Sequence, residues 1–383
     1  MVAKSTVGAM QSIDGDKKTP GRRRSSHEET SQFAKSNTHP GHLYEEISDN
    51  VEFQNTKFLY KAAALGGILF VMLFVMVRVA MYECKSYRLK PMSQSGKVVV
   101  ITGANSGLGL ESSMILSQAG ASIAMACRNM TKCRVAKEAI TSRVPNAKLN
   151  VYSLDLASFQ SVKKFASEIK RDYRKIDVLM NNAAEMAIAQ REVTVDGNER
   201  QMQTNHLSHF LLTSLLLNSF SKEGRIINVG SAAYILAATD FVERDFQSSK
   251  SYNPFAAYGN TKAANLYFTY ELNRKFKKSG SKIKAIVTHP GYTATNLQVN
   301  RYPFWSIANA LFAMKVEDGA LSQIIAAADE QVEPSMHNFL GPRYLTFGYP
   351  TVENIGKVDD AVLENLWRES VRITGAKYTT LKD

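Results

Sequence analysis

Short apolar runs alternate with amphipathic stretches along the C-terminal part of the chain. Six runs have the length and composition of buried strands: Lys97–Ile101, Ser122–Cys127, Leu149–Leu154, Asp177–Met180, Ile226–Val229 and Ile283–Thr288. One intervening stretch, Ser161–Tyr173, repeats apolar residues at helical spacing: Val162, Phe165, Ala166 and Ile169. Strands that alternate with helices are typical of a doubly wound parallel sheet with helices on both faces. We therefore expect a single α/β domain over residues 96–383.

A long apolar run precedes this domain. Residues 62–82 carry one charged side chain, Arg78, and Lys61 closes the N-terminal end of the run. At about 1.5 Å per residue, a helix of this length crosses a hydrocarbon core of about 30 Å. A cleavable signal peptide would begin near residue 1, and a buried core helix would need globular sequence before it. The pattern predicts a transmembrane helix over residues 58–83.

Residues 1–57 are polar, with clustered charges and few aromatic residues. A segment of this composition cannot bury enough apolar area to offset its ordering entropy, so we expect a disordered tail. The tail contains Arg22-Arg23-Arg24-Ser25-Ser26. A solvated basic cluster is the simplest interpretation of this run, and a kinase site or a lipid-contacting patch are the alternatives.

The overall composition excludes several classes of protein. With 44% hydrophobic and 21% charged residues, the chain is typical of a globular protein. The excess of 47 Lys and Arg over 35 Asp and Glu gives a formal charge of +12, which suits nucleic acid or a membrane surface. No zinc-finger spacing, RNP-like aromatic motif or long basic helix accompanies this charge, so we expect no nucleic-acid partner. The sparse cysteines, Cys84, Cys127 and Cys133, suggest free thiols.

A glycine-rich loop follows the first predicted strand. It has the sequence Thr102-Gly-Ala-Asn-Ser-Gly-Leu-Gly109, and a helical pattern begins directly after it. Glycines at these positions let the backbone turn tightly and approach a pyrophosphate, and a helix N-terminus adds free N–H groups and a positive dipole end. The order of strand, glycine loop and helix therefore predicts a dinucleotide site in a Rossmann-type fold.

The loop spacing Gly-x-x-x-Gly-x-Gly resembles that of the short-chain dehydrogenase/reductase superfamily. Six further segments resemble that family's motifs in the same order: Leu154-Asp155-Leu156, Asn181-Asn182-Ala183-Ala184, Thr204–Thr213, Asn228–Ser231, Tyr258–Lys262 and His289–Thr295. The run at Thr204–Thr213 is similar to that of retinol dehydrogenase-like members, a branch that includes an oxidoreductase with WW modules. This chain has only Trp305 and Trp367 and no such module. The resemblance covers about residues 96–350.

The resemblance implies a set of catalytic and cofactor-binding residues. The family's catalytic positions correspond to Asn205, Ser231, Tyr258 and Lys262. Among them, Tyr258 would act as general acid/base, Ser231 would bind the substrate oxygen, and Asn205 would hold a water behind Lys262. Asp155 matches the family's adenine contact. The implied cofactor-binding residues are Gly103, Asn105, Ser106, Gly107, Leu108, Gly109, Arg128, Asn129, Asp155, Leu156, Asn182, Ala183, Tyr258, Lys262, Pro290, Gly291, Thr293 and Thr295.

The pair Tyr258 and Lys262 also makes chemical sense by itself. Residues four apart share one helix face, and an ammonium beside a phenol stabilises the phenolate and lowers its pKa from about 10. A second Tyr-x-x-x-Lys, at Tyr378–Lys382, lies at the end of the chain and is interpreted as chance. His206 and His209 are spaced for a metal, but no third ligand pattern lies nearby, so we expect no metal site.

The end of the second predicted strand indicates which cofactor is bound. An acidic residue there would bind the ribose hydroxyls of NAD, whereas an arginine accommodates the 2′-phosphate of NADP. This chain has Arg128 at that position, and Lys132 and Arg134 add positive charge. We therefore expect NADP(H) in preference to NAD.

These observations predict an NADP(H)-dependent oxidoreductase that acts on a hydrophobic alcohol or carbonyl, such as a retinoid, sterol or other lipid. In the family, the segment corresponding to Tyr302–Met314 covers the substrate, and a helix packed in the core is the alternative for this apolar stretch. Two rival functions stay open: an NADP(H)-binding module without turnover, and a reductase of small carbonyls. A homodimer is also left open.

Charge around the apolar run predicts its orientation. The N-terminal flank, residues 42–61, contains two basic residues, Lys57 and Lys61, whereas the C-terminal flank contains five: Arg78, Lys85, Arg88, Lys90 and Lys97. The positive-inside rule then places the catalytic domain in the cytosol, on the endoplasmic reticulum or a related organelle. Free cysteines and the sequon Asn129-Met130-Thr131, where a glycan would crowd the cofactor, agree with this side. The basic run Arg22–Arg24 on the N-terminal side favours the opposite orientation, but it lies far from the span and therefore counts for less.

Overall fold

The computed structural model describes residues 40–86, 92–238, 240–295, 312–333 and 338–381. The chain separates into two units, residues 1–66 and 67–383. The boundary falls between Gly66 and Gly67, inside the first helix, where two glycines weaken the local helical preference.

The first helix, α1, spans Pro40–Ser86. Within it, Val51–Val79 is long and apolar enough to cross a membrane: an 18-residue stretch of it has a mean hydropathy of 2.3, and 6% of that stretch is buried. A helix in the core of a soluble protein would have most of these apolar side chains buried, so this stretch is not a core helix. The helix begins well before the predicted span of 58–83, so residues 40–57 are helical where the sequence predicted a disordered tail. The remainder of that tail, residues 1–39, lies outside the described residues.

The second unit is built on an eight-stranded sheet of order β3-β2-β1-β4-β5-β6-β7-β8. The strands are β1 (Val98–Thr102), β2 (Ser122–Cys127), β3 (Lys148–Ser153), β4 (Ile176–Asn181), β5 (Phe220–Val229), β6 (Lys284–Thr288), β7 (Asn338–Pro342) and β8 (Pro350–Asn354). All neighbouring pairs are parallel except β7 and β8, which are antiparallel. The doubly wound parallel sheet and its first six strands are confirmed, whereas β7 and β8 were missed.

Helices cover both faces of the sheet, as expected. The described helices of this unit are α2 (Gly107–Gln118), α3 (Met130–Arg143), α4 (Phe159–Asp172), α5 (Arg200–Met202), α6 (Ser208–Leu216), α7 (Phe241–Asp245), α8 (Pro254–Ser279), α9 (Val316–Gly319), α10 (Leu321–Ala328) and α11 (Asp360–Thr374). A π-helical turn, Gln203–Leu207, joins α5 to α6. Short 3-10 helices follow at Leu217–Ser219 and Ala232–Leu236.

Alternate residues of β1 pack into two separate cores, one on each face of the sheet. Val100 of β1 packs in a core with residues of α4, α6, α8 and α11, including Phe165 and Phe268. Val99 and Ile101 of the same strand pack in the other core, with residues of α2, α3 and α10. The predicted apolar face of Ser161–Tyr173 is confirmed, since its apolar residues in α4 are buried.

Cys127 and Cys133 form a disulfide bond, so the prediction of free thiols is wrong for this pair. Cys127 ends β2 and Cys133 lies in the first turn of α3, and this tight connection brings their Cα atoms to 6.1 Å. The pairing depends on the turn geometry, which the cysteine spacing does not reveal. The cysteines therefore no longer support a cytosolic orientation, which rests on the charge pattern and the sequon.

Candidate active site

Two cavities lie at the edge of the sheet where the parallel strands end. The larger, of about 420 Å³, is lined by the glycine loop and the ends of β2 and β4. The smaller, of about 180 Å³, is lined by residues after β5 and β6 and by α8. Leu108, Asn182, Ala184 and Thr295 line both, so the two cavities adjoin. Carboxyl ends of parallel strands are the usual ligand position in such folds.

The glycine loop shapes the floor of the larger cavity. Gly103 has φ +68°, a backbone conformation that a side chain would strain. A Cβ at this residue would also meet Ala183 at 3.1 Å. Helix α2 starts at Gly107, and the side chain of Ser106 makes no capping bond to it, which leaves the first N–H groups of the helix for a ligand. Gly109 does not line the cavity but packs behind the loop, against the Gly103 carbonyl.

Thr102 fixes the loop to the end of β4. Its hydroxyl accepts hydrogen bonds from the N–H groups of Asn182 and Ala183, at 2.9 and 3.0 Å. The Asn182 amide donates to the Thr102 carbonyl at 2.8 Å. These bonds hold the Asn-Asn-Ala-Ala motif against the glycine loop, and both Asn182 and Ala183 line the larger cavity as predicted.

The far end of the larger cavity is polar and basic. Of the predicted contacts, Arg128, Asn129, Asp155 and Leu156 line it, and so does Lys132. The Asn129 side chain caps α3 by accepting from the N–H of Lys132 at 2.9 Å. Asp155 accepts from the N–H of Ala157 at 2.9 Å, which holds its carboxylate in a tight turn. Arg134 lies on α3 but does not line the cavity.

Ser231, Tyr258 and Lys262 line the smaller cavity together. Helix α8 carries the last two and is started by Asn253, whose side chain accepts from two N–H groups, followed by Pro254. The helix packs closely on the 3-10 turn after Ser231, because a Cβ at Gly259 would lie 2.8 Å from the Ala233 carbonyl. Sequence-distant residues are thereby brought into one site.

Burial sets the proton affinities of this group. Burial raises the pKa of Tyr258 to about 12, although a hydrogen bond with Ser231 opposes the rise. Burial also lowers the pKa of Lys262 to about 8. The Lys262 ammonium donates to the Val229 carbonyl at 2.9 Å and lies 5.5 Å from the centre of the Tyr258 ring. The pKa of Tyr258 is therefore shifted opposite to the predicted direction, because burial outweighs the hydrogen bond with Ser231.

Asn205 lies behind the cavities in the π-helical turn and is fully buried. Its amide donates to the Thr261 hydroxyl at 3.0 Å and to the Glu185 carbonyl at 2.8 Å, and its oxygen accepts from the Glu185 N–H at 2.8 Å. Asn265 donates to the main-chain carbonyl of Asn205 at 3.1 Å. The side chain therefore fixes the backbone beside the cofactor cavity, and its role in a water relay stays a prediction.

Three residues that were given no catalytic or metal-binding role in the sequence analysis have hydrogen-bond partners inside the protein. His206 bonds Asn265 and Ser370, and His209 bonds Thr102 and the Asn205 carbonyl, so both rings use both nitrogens. Burial lowers the pKa of His209 to about 4, which keeps its ring neutral. Tyr378 donates to the Phe210 carbonyl at 2.7 Å within the core and lies outside both cavities, as expected for the second Tyr-x-x-x-Lys.

The loop after β6 closes the smaller cavity. Pro290, Gly291, Thr293 and Thr295 line it as predicted. Most of the predicted substrate cover, Tyr302–Met314, lies outside the described residues.

The last residues of that segment run along the cavity wall. The Met314 N–H donates to the Tyr292 carbonyl at 2.8 Å, and the Ala294 N–H donates to the Met314 carbonyl at 3.0 Å. Two residues earlier, the ring of Phe312 meets those of Phe70 and Phe74 of α1 at centroid distances of 6.0 and 6.3 Å.

The short chain dehydrogenase family model matches residues 97–304, more than half of the chain. This span contains the glycine loop, all four predicted catalytic residues and the loop after β6. The chain belongs to the short-chain dehydrogenase family. It is therefore an oxidoreductase, with the Rossmann-like fold predicted for it.

Known proteins resemble this short-chain dehydrogenase over most of their length. Human (Homo sapiens) retinol dehydrogenase 13 is 34% identical over 339 residues, covering 86% of this chain and 98% of the relative. Human polyprenol dehydrogenase is 31% identical, covering 78% of this chain and 92% of the relative. A solved structure of an uncharacterized protein from Mycobacterium paratuberculosis is 34% identical with a TM-score of 0.62, covering 75% of this chain and 96% of that one.

One charged residue that lines the larger cavity of this short-chain dehydrogenase was not predicted from the sequence. Glu185 lines the larger cavity, and its carboxylate lies 2.9 Å from the guanidinium of Arg128. The signal was present in the sequence, since an acidic residue directly follows the Asn-Asn-Ala-Ala motif. Its partner could not be found there, because the two side chains meet only when β2 and β4 end at the same edge.

Proposed function

We propose that this chain is a membrane-anchored, NADP(H)-dependent oxidoreductase of hydrophobic alcohols or carbonyls, with Tyr258 as general acid/base. One observation carries the proposal: Ser231, Tyr258 and Lys262 line a cavity that adjoins the glycine-loop cavity. A bound dinucleotide that follows the two cavities would bring its reactive end to the tyrosine. A binding module without turnover would not need this convergence.

The larger cavity fits the dinucleotide chemically. The open start of α2 and the close backbone turn at Gly103 suit a pyrophosphate. Thr204 contributes a buried hydroxyl without a hydrogen-bond partner to the lining, which suits a polar ligand. Arg128 would bind the 2′-phosphate, and Asp155 the adenine. Pro290, Gly291, Thr293 and Thr295 would hold the nicotinamide end.

The reaction needs a group that exchanges a proton with the substrate oxygen. Bound NADPH supplies the hydride, and bound NADP⁺ accepts it. In reduction the Tyr258 hydroxyl would donate its proton to the carbonyl oxygen, and in oxidation its phenolate would take the alcohol proton. Ser231 would donate a hydrogen bond to the substrate oxygen. Lys262 would place positive charge beside the phenolate and stabilise it.

The high pKa of Tyr258 predicts different pH dependences for the two directions of the reaction. A pKa of about 12 keeps the hydroxyl protonated at neutral pH, so the proton donor for reduction is present and the base for oxidation is scarce. We expect kcat/KM for alcohol oxidation to rise from about pH 6 to 9, while reduction stays nearly level. Initial rates in both directions across this range check the expectation. An oxidation rate that falls as pH rises would contradict it.

The proposed substrate class rests on the apolar surroundings of the site. The names of two relatives, retinol dehydrogenase and polyprenol dehydrogenase, specify hydrophobic alcohols. The wall of the smaller cavity leads to Phe312, which contacts Phe70 and Phe74 within the apolar part of α1. A lipid substrate that leaves the bilayer beside this helix would reach the cavity without crossing water.

Rates on matched panels of hydrophobic and small polar carbonyls, measured in detergent with NADPH, test this proposal. Activity that increases with the length of the apolar chain supports it. Activity on the small carbonyls alone would indicate the small-carbonyl reductase, and tight cofactor binding without turnover would indicate the binding module.

We further propose that residues 58–83 anchor the protein in the endoplasmic reticulum or a related organelle, with 1–57 as tail and 96–383 as a cytosolic catalytic domain. The basic residues after the span support this side of the membrane. The sequon at Asn129 supports it as well, since this exposed side chain caps α3 at the wall of the larger cavity, where a glycan would crowd a bound cofactor.

Protease treatment of sealed microsomes is expected to digest the catalytic domain without detergent. The physical reason is that the five basic residues of the C-terminal flank, 78–97, resist translocation. An antibody against the C-terminus follows the fragment, and a lumenal marker protein controls for intact vesicles. If residues 96–383 survive until detergent is added, the catalytic domain is lumenal and the proposed orientation is wrong.

A further inference from the structure

A carboxylate lies between two guanidinium groups at the wall of the cofactor cavity. Glu185 Oε1 lies 2.9 Å from Arg128 Nη1. Arg200 holds the same carboxylate with two bonds, Nε to Oε2 at 2.7 Å and Nη2 to Oε1 at 3.0 Å. Arg200 also binds Glu192 at 2.7 Å, away from the cavity. Glu185 is thus the member of this cluster that touches Arg128.

The charge of Glu185 is maintained although it is mostly buried. Its side chain is 20% exposed, against 59% for Arg128. Burial opposes ionisation, but Arg200 and Arg128 outweigh burial and hold the pKa of Glu185 below its ordinary value. The carboxylate is therefore ionised at neutral pH, and it neutralises part of the positive charge that Arg128 offers to the cavity.

The backbone of Glu185 is fixed independently of this charge. Asn205 binds both its N–H and its carbonyl, each at 2.8 Å. A change confined to the carboxylate leaves these two bonds in place. The side chain can therefore be altered without moving the cavity wall or the predicted catalytic asparagine.

We propose that Glu185 is a specificity-determining residue that weakens the preference for a 2′-phosphorylated cofactor by occupying and neutralising Arg128. The inference rests on the proposed role of Arg128. A 2′-phosphate carries a charge of about −1.5 to −2 and is repelled by a nearby carboxylate, whereas the 2′-hydroxyl of NAD is neutral and can donate to one. The residue therefore favours NAD relative to NADP.

The opposite effect, in which Glu185 orients Arg128 for the phosphate, is the weaker one. Arg128 donates a single hydrogen bond to this carboxylate and is more than half exposed. One exposed ion pair orders a flexible side chain only slightly. Repulsion between the Glu185 carboxylate and the 2′-phosphate involves two charged groups and is the stronger effect. We therefore expect Glu185 to lower the preference for NADP.

The isosteric variant Glu185→Gln tests the proposal. We expect its NADP-to-NAD ratio of kcat/KM to rise about fivefold, and the NADPH-to-NADH ratio of binding affinities, measured by cofactor fluorescence without substrate, to rise by the same factor. Glu192→Gln is the matched control, because it removes a carboxylate from the same Arg200 without touching Arg128, and its ratio should equal that of the wild type. An unchanged or lower ratio in folded Glu185→Gln overturns the proposal.

A double-mutant cycle separates this inference from the proposed function. Arg128→Ala alone should lower the ratio, and adding Glu185→Gln should then raise it by less than in the wild-type background, because only the direct repulsion of the phosphate is left to remove. If Arg128→Ala leaves the ratio unchanged, the assignment of Arg128 fails. If only the effect of Glu185→Gln is missing, this inference fails by itself. Should Glu185→Gln not fold, Glu185→Asp withdraws the carboxylate while keeping a charge for Arg200, and a fall in the ratio would overturn the proposal.

Discussion

Replacing Tyr258 with phenylalanine is expected to lower turnover by about 10²- to 10⁴-fold, the usual contribution of a positioned acid–base group. The variant keeps the ring that packs in the smaller cavity and removes only the hydroxyl. Because the larger cavity is unchanged, cofactor affinity should stay close to that of the wild type. Initial rates and NADPH binding by fluorescence measure the two quantities separately.

Tyr378→Phe is the matched control for this experiment. It removes a hydroxyl from the second Tyr-x-x-x-Lys motif, where the lost bond to the Phe210 carbonyl affects the core and not the cavities. We expect a lower melting temperature with nearly normal turnover. Near-normal activity of Tyr258→Phe would contradict the proposed mechanism.

Reversing the charge at Arg128 should change which cofactor is used. Arg128→Asp replaces a charge-assisted contact to the 2′-phosphate with repulsion, so the NADP-to-NAD ratio of kcat/KM should fall about a hundredfold. NAD, which lacks this phosphate, should be affected much less. Steady-state kinetics with both cofactors give the ratio directly.

Arg134→Asp is the control for the charge reversal. Arg134 lies on the neighbouring helix but does not line the cavity, so the same change of net charge should leave the ratio nearly constant. Equal ratios for wild type and Arg128→Asp would remove Arg128 from the cofactor site.

The parts of this site that the sequence predicted depend on local patterns. The loop Thr102–Gly109 was recognisable because glycines are needed where a backbone turns tightly against a ligand. The position of Arg128 beside the glycine loop also followed, since parallel strands bring their carboxyl ends to one edge of the sheet, although its particular partner there did not.

The parts that were missed depend on tertiary packing. β7, Asn338–Pro342, combines polar residues with glycine and proline, and one residue pair joins it to β6. The bond between Cys127 and Cys133 requires the exact turn between β2 and α3. The pKa of Tyr258 was predicted in the wrong direction because the sequence shows the lysine beside it but not the extent of burial or the carbonyl that Lys262 binds.

Transfer of deuterium is the most direct test of the central claim. The detergent-solubilised wild type would be incubated with a long-chain aldehyde and NADPH deuterated at the transferable position, and the alcohol would be analysed by mass spectrometry. We expect the alcohol product of the wild type to carry one deuterium on its carbinol carbon, and we expect this product to be nearly lost in Tyr258→Phe. Binding of NADPH without labelled alcohol, or equal labelling by wild type and Tyr258→Phe, would contradict it.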